Sequence, residues 1–399
     1  MNVLIVSHLY PTPTNSVPGI FVHQQAQALE KRGHSVRVLS PTPYVPNVPQ
    51  LPNRWARFRD TPDQSQIDGI DVSYPKYLSL PSRHTLPLVA KSARRSVDRA
   101  ISNLEFNTAF FPDVINAHVP LPDGYACLPA HHRLDTPLVT TVHGASIYNS
   151  AKNPICRRQI REVFDESKEI IFNSGVLCRK AKSYFSNISD SRVVYNGIEL
   201  DEIESAPEAD LSDIFPENRI TVSSIGNLID RKNHIDVIDA LSAIKKEERP
   251  YYLIIGSGPN RDHLEQQIKN RGLEEYIHFT GYVHNHTDVI AKLKATDVMA
   301  LPSTDEAFGI AYIEAMACGC PVIGCEGEGP SEFVESGKTG YLVPQNDPEA
   351  IRNILTTLLD EPSKIRDIGK NASRYVRNNL TWAENARKCE EIYQSAIEK

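Results

Sequence analysis

One stretch restricts the fold of this chain more than any other: residues 303–323, which read STDEAFGIAYIEAMACGCPVI. Before it, Met299-Ala300-Leu301 is a short apolar run ended by Pro302. Within it, Ile310, Ile313 and Ala317 recur at helical spacing until Gly319 and Pro321 stop the pattern. A strand, a loop, a helix and a turn into Val322-Ile323 follow one another, which is the grammar of a parallel α/β sheet. The first turn of such a helix offers unpaired N–H groups and a partial positive charge, so Phe308, Gly309 and Ile310 form a candidate phosphate cradle. Gly309 lets the backbone come close. Glu314, one turn in, is placed to accept hydrogen bonds from ribose hydroxyls, and Glu306, in the loop, to orient a second polyol. Two glutamates flanking a phosphate cradle point to a nucleotide joined to a sugar.

A bare pair of glutamates eight apart is common by chance. Embedded in Glu306-Ala-Phe-Gly and Glu314-Ala-Met-Ala-Cys-Gly-Cys-Pro-Val, the pair resembles the Glu-x7-Glu signature of retaining glycosyltransferase family 4, whose members move a sugar from a nucleotide-sugar. The resemblance implies the GT-B fold: two Rossmann-like, doubly wound parallel-sheet domains with a cleft between them and a C-terminal helix crossing back. On this reading residues 1–198, with the helix 381–399, form the acceptor domain. Residues 199–217, rich in Asp and Glu, form a linker, and 218–380 hold the donor.

A length of 399 residues agrees with two domains, and 40% apolar content suffices for ordinary cores. Seven cysteines without metal-ligand spacing are expected to be reduced, in a cytoplasmic protein. No apolar run reaches the roughly 18–20 residues needed to span a bilayer, and residues 1–8 read as a buried strand and not as a signal peptide. The net charge of −7 is uneven: residues 1–198 carry 22 Lys and Arg against 15 Asp and Glu, residues 199–399 carry 21 against 35. The first half is therefore expected to meet something anionic. Nucleic acid is not expected, because no binding motif accompanies the charge.

In the first half, Val3-Leu4-Ile5-Val6, a helix over about 21–31 and Val36-Arg37-Val38-Leu39 make a βαβ opening. Gly19, in its loop, matches the family glycine that lets the donor diphosphate approach. Residues 41–75, proline-rich and without clear period, read as a long mobile excursion. From Leu88 an amphipathic helix buries Val89, Ala93, Val97, Ala100, Ile101 and Leu104. Lys91, Arg94, Arg95 and Arg99 crowd its other face, either as an ordinary solvated surface or as a rest for anionic lipid on the inner membrane face. Two further strands end in His118 and His143, and ligands gather at such ends. The resemblance puts His143 beside the reacting sugar; His118 is a candidate acceptor contact.

In the second half Lys232 matches the family lysine, but Asn227 stands where the family has arginine, so Arg231 is the candidate for the missing charge. Two cations normally neutralise the departing diphosphate. Val283 matches the place where the family holds the nucleotide base by backbone contacts, which leaves UDP- and GDP-sugars both open. Glycines 256 and 258 are expected to reverse the chain, and the loops at 327–332 and 337–344 to be scaffold. The absence of Asp-x-Asp argues against a metal clamp, so no metal and no cofactor are expected. The implied reaction is front-face displacement, with His143, Lys232, Arg231 and Glu306 as its catalytic group. Rivals are a nucleotide-sugar 2-epimerase, a phosphorylase needing pyridoxal phosphate, and a non-catalytic nucleotide-sugar-binding partner subunit.

Overall fold

Continuous apolar runs bounded by polar loops are strands buried on both faces, and such strands need helices on either side. The computed structural model describes residues 1–15, 17–46, 55, 58–79, 85–144, 146–186, 188, 191–215 and 219–399. It divides into two compact units, Met1–Asn196 with Trp382–Lys399, and Gly197–Thr381.

The first unit carries strands β1 (Asn2–Val6), β2 (Ser35–Leu39), β3 (Thr42–Pro43), β4 (Gln64–Ile67), β5 (Ile70–Ser73), β6 (Lys76–Tyr77), β7 (Val114–His118), β8 (Leu138–Val142), β9 (Glu169–Phe172) and β10 (Ser191–Val193). Eight of them form one sheet in the order β10-β9-β8-β7-β1-β2-β5-β4, while β3 pairs with β6. Every pairing in the large sheet is parallel except β4 with β5. Part of the expected excursion is thus a hairpin. Asp68 and Gly69 both take positive φ at its two-residue turn, which matches the twist of the strands it joins. Residues 47–54 and 56–57 of that excursion lie outside the described residues.

The helix expected from Leu88 runs Leu86–Thr108. Val89, Ala93, Val97, Ile101 and Leu104 are buried and Ala100 is half-buried. Lys91, Arg95 and Arg99 are exposed. Arg94 is not part of that free face. It lies 3.9 Å from Glu162 and stacks over the Tyr125 ring at 4.7 Å. The helix Trp382–Glu398 closes the core of this unit: Trp382, Ala386, Cys389 and Tyr393 pack with Val3, Ile5, Leu29 and Val139.

The second unit carries β11 (Thr221–Ile225), β12 (Tyr251–Ile255), β13 (Ile277–Gly281), β14 (Val298–Ala300), β15 (Val322–Cys325) and β16 (Gly340–Val343) in one all-parallel sheet, ordered β13-β12-β11-β14-β15-β16. Its core gathers Val222, Leu253, Ile254, Val298 and Ile323 with Val237, Ile351 and Leu355 from covering helices. Residues 199–217 contain a short helix, Leu200–Ser205. Among the described residues no helix is long and apolar enough to cross a membrane.

Both sheets reverse their winding once, between β1 and β7 and between β11 and β14. Such a switch point opens a crevice outside the strand ends, where ligands of α/β proteins bind.

Candidate active site

At the switch point of the second unit, the loops after β11 and β14 bring two cations and one carboxylate to the same place. Beyond β11 the chain turns at Gly226, passes Asn227 and makes a single 3-10 turn, Asp230–Lys232. Beyond β14, Thr304 N–H donates to the Arg231 carbonyl (2.8 Å), which stitches the two loops together. Lys232 Nζ reaches Glu306 Oε2 at 2.6 Å, with side chains only 13% and 12% exposed; Arg231 Nη1, 45% exposed, lies 3.8 Å from the same oxygen. The lysine stem lies along Gly226, where a Cβ would sit 3.5 Å from Cε. Gly256 and Gly258 do more than reverse the chain. Cβ atoms there would meet the Gly226 carbonyl oxygen at 2.0 Å and Leu228 N at 2.5 Å, so only glycine lets the β12 loop pack on the β11 loop.

Three residues on from Glu306, Gly309 takes φ +88 and caps the helix Ile310–Ala317, with Phe308 buried against Phe333. The loop is held from behind by Glu328, whose carboxylate accepts the Glu306 N–H (2.9 Å) and a Gln345 side-chain N–H (2.9 Å). Gly329 N–H donates to the Glu306 carbonyl at 2.8 Å. The 327–332 loop thus fixes the backbone of Glu306.

Glu314 stands apart from this pair. Its Oε1 lies 3.0 Å from His286 Nε2, and His286 Nδ1 lies 2.8 Å from Glu202 Oε1 on the short helix Leu200–Ser205. Hydrogen bonds to Glu202 and Glu314 outweigh burial and push the imidazole pKa up to about 10, so His286 is a cation between two carboxylates. Asn227 is exposed on the β11 loop, and Val283 is half-buried just past β13, two strands from β11.

In the first unit His118 ends β7 and His143 directly follows the adjacent β8. Their rings are nearly parallel, with centroids 5.0 Å apart and planes 12° apart, and meet edge to edge with His118 Nδ1 2.8 Å from His143 Nε2. Burial, together with the His143 neighbour, holds the His118 pKa well below its ordinary value; burial lowers that of His143 to about 3. Phe21 packs on the His143 ring at 4.7 Å. Two residues before it Gly19, φ +70, caps the helix Ile20–Lys31, and a Cβ there would lie 2.0 Å from the Leu9 carbonyl oxygen.

Sequence reasoning passed over His8 and Asp123 at this unit's own switch point. His8 follows β1 as His143 follows β8, which was the available signal. The fully buried Asp123 carboxylate accepts from the His8 backbone N–H (3.1 Å) and sits 3.0 Å from its Nδ1. Burial draws the His8 pKa down, and Asp123 more than restores it. His8, Tyr10, Thr12, Thr42 and Tyr77 line a cavity of about 270 Å³.

Two parallel-sheet units, each with polar side chains gathered at a switch point, define the GT-B class of glycosyltransferase. Residues 19–202 match the family model "Glycosyltransferase Family 4" and residues 208–375 match "Glycosyl transferases group 1". Over 293 residues the chain is 27% identical to N-acetyl-alpha-D-glucosaminyl L-malate synthase of Bacillus anthracis, covering 71% of this chain and 75% of that one. Sucrose-phosphate synthase from Thermosynechococcus elongatus superposes with a TM-score of 0.79 at 19% identity, over 100% and 99% of the two chains. HepE of Anabaena in complex with UDP gives 0.69 at 20% identity, over 99% and 100%. The chain belongs to the family 4-type glycosyltransferases of GT-B fold, related to enzymes of polysaccharide and glycoconjugate biosynthesis.

Proposed function

We propose that this transferase is retaining and metal-independent, and takes its sugar from a nucleoside-diphospho-sugar, UDP- or GDP-linked. One observation carries the reading: Lys232 and Arg231 converge on Glu306 at the switch point, beside the Gly309-capped helix start. Two cations and a helix N-terminus are the complement of a diphosphate. HepE, similar in fold, was seen with UDP, which favours a uridine donor.

Donor binding exchanges partners. The diphosphate takes Lys232 and Arg231, and Glu306, relieved of the lysine, accepts hydrogen bonds from sugar hydroxyls. Glu314, its Oε1 steadied by His286, receives the ribose, and Val283 backbone groups hold the base. An acceptor hydroxyl then attacks the anomeric carbon on the face from which the phosphate leaves. The carbon–oxygen bond to the β-phosphate breaks, a new glycosidic bond forms, and the hydroxyl proton passes to the departing phosphate oxygen. Lys232, Arg231 and the N–H groups at 308–310 stabilise the charge that grows there. His143 serves the sugar, and His118, 1% exposed and with its Nδ1 2.8 Å from His143 Nε2, acts through that ring and not on the acceptor. The acceptor is a glycan or a lipid-linked glycan: exposed Leu78 and Leu88 beside Lys91, Arg95 and Arg99 make a surface fit for anionic lipid.

The test is ligand-induced thermal stabilisation by UDP, GDP, ADP and their sugars, on wild type and Glu314→Ala. One nucleotide is expected to stabilise the wild type and not the variant. Equal stabilisation of both refutes the ribose assignment. A trapped glycosyl-enzyme adduct refutes the front-face step.

A further inference from the structure

The geometry points to a fixed hydrogen-bond relay, Tyr393–Asn116–His118–His143, that sets the tautomer of His143 and makes its Nδ1 a hydrogen-bond donor. All four residues belong to the first unit, and Tyr393 is supplied by the helix Trp382–Glu398. Asn116 Nδ2 lies 2.6 Å from the Tyr393 hydroxyl and 3.2 Å from His118 Nε2, and the Thr141 hydroxyl donates to Asn116 Oδ1 at 2.9 Å. Asn116, His118 and Tyr393 are essentially inaccessible to solvent.

The direction of the relay follows from counting protons. In this orientation both amide N–H groups of Asn116 are used, one on Tyr393 and one on His118, and its oxygen accepts from Thr141. Turned over, the amide would present its oxygen to Tyr393 and His118 and leave one buried N–H without a partner, which folded proteins avoid. His118 Nε2 is therefore an acceptor. Both imidazoles are neutral, their pKa values lowered by burial, so the single His118 proton sits on Nδ1 and is donated to His143 Nε2. That leaves the His143 proton on Nδ1. Among the described residues this buried Nδ1 has no hydrogen-bond partner. Asn173 Nδ2 donates to the His143 carbonyl at 2.9 Å and fixes the backbone beneath the ring.

His143 thus offers a donor and not a base: it takes a hydroxyl or ether oxygen of the sugar, not the acceptor proton. His118, Asn116 and Tyr393 are positioning residues that act through it. The inference rests on the reading that His143 serves the sugar, but its test needs no substrate.

In protein labelled with ¹⁵N-histidine, two-bond ¹H–¹⁵N correlations report which nitrogen of each ring is protonated. The expected wild-type spectrum shows His143 and His118 both neutral, with bare Nε2 and protonated Nδ1, unchanged from pH 5 to 8. A proton on His143 Nε2 overturns the relay, whatever the donor-binding experiments show. Asn116→Asp replaces the donor with an acceptor and is expected to reverse both tautomers; an unchanged spectrum in a folded variant also overturns it. In transfer assays His118→Asn keeps a donor near Nδ1 and is expected to hold kcat/KM within about threefold, whereas His118→Leu loses about 10- to 100-fold. Equal activity of the two variants counts against the relay.

Discussion

Replacing Lys232 by Met removes the charge at the switch point and keeps most of the side-chain volume. The buried lysine head lies 2.6 Å from Glu306, and the replacement partner, Arg231, is 3.8 Å away and half in water. Fully buried pairs cost about 3–5 kcal/mol when one member is removed, and exposed pairs about 0–1 kcal/mol. This pair is mostly buried but keeps a second cation, so Lys232→Met should cost about 1–3 kcal/mol. For a unit of this size that lowers Tm by roughly 2–4 °C per kcal/mol. Turnover should fall much further, by about 10²–10³ in kcat, the usual loss when a group stabilising transition-state charge is deleted. Glu306→Gln in the Met background removes the stranded carboxylate, so Tm should recover while kcat should not. Calorimetry on the four proteins of this cycle, with initial rates at saturating donor, separates the two effects. A kcat within threefold of wild type for Lys232→Met, or recovery of kcat together with Tm in the double variant, refutes the assignment of Lys232 to the leaving group.

The His286 imidazolium is stabilised in the folded protein, so its contribution is full below its unfolded pKa near 6.5 and fades as pH rises toward 10. His286→Gln should flatten the decline of Tm over that window, and parallel Tm-against-pH curves for the two proteins would show that the Glu202–His286–Glu314 chain carries no stability. Gly329 touches no proposed ligand. A Cβ there would lie 2.6 Å from Phe308 Cα and from the Phe308 carbonyl oxygen, so Gly329→Ala must shift the loop that carries Glu306. Donor KM should rise about tenfold or more, because misplacement of about 1 Å at a reacting site is costly, and an unchanged KM would mean that the loop position does not matter.

Local features were legible in the chain. Val3–Val6, the helix that follows and Val36–Leu39 announced a parallel sheet because buried strands are apolar throughout. Pro302, Gly309 and Gly319 marked the strand, loop, helix and turn that carry Glu306 and Glu314, because such residues end strands and cap helices. The hairpin of β4 and β5 was obscured by prolines and by the polar run Gln64-Ser65-Gln66, although Asp68-Gly69 is a strong turn signal. What sequence spacing cannot convey is which distant groups meet. His286 and Glu202 reach Glu314 from the start of the helix His286–Lys294 and from a segment that read as linker, and Tyr393 reaches Asn116 from 277 residues away. Nor does a count of cationic residues on one helix face reveal that Arg94 is spent on Glu162 and Tyr125.

The core of the first unit is completed by Trp382, Ala386 and Tyr393, while along the chain the whole of the second unit, Gly197–Thr381, is synthesised between them and the rest of that core. On the ribosome the sheet built from Met1–Asn196 must therefore wait, at about 5–20 residues per second, roughly ten seconds or more with its face toward Val3, Ile5 and Leu29 unsealed. The second unit, continuous in the chain, has everything it needs earlier. The part of the protein synthesised first is the last to be finished, and during that interval it offers chaperones an apolar face that the mature molecule no longer shows.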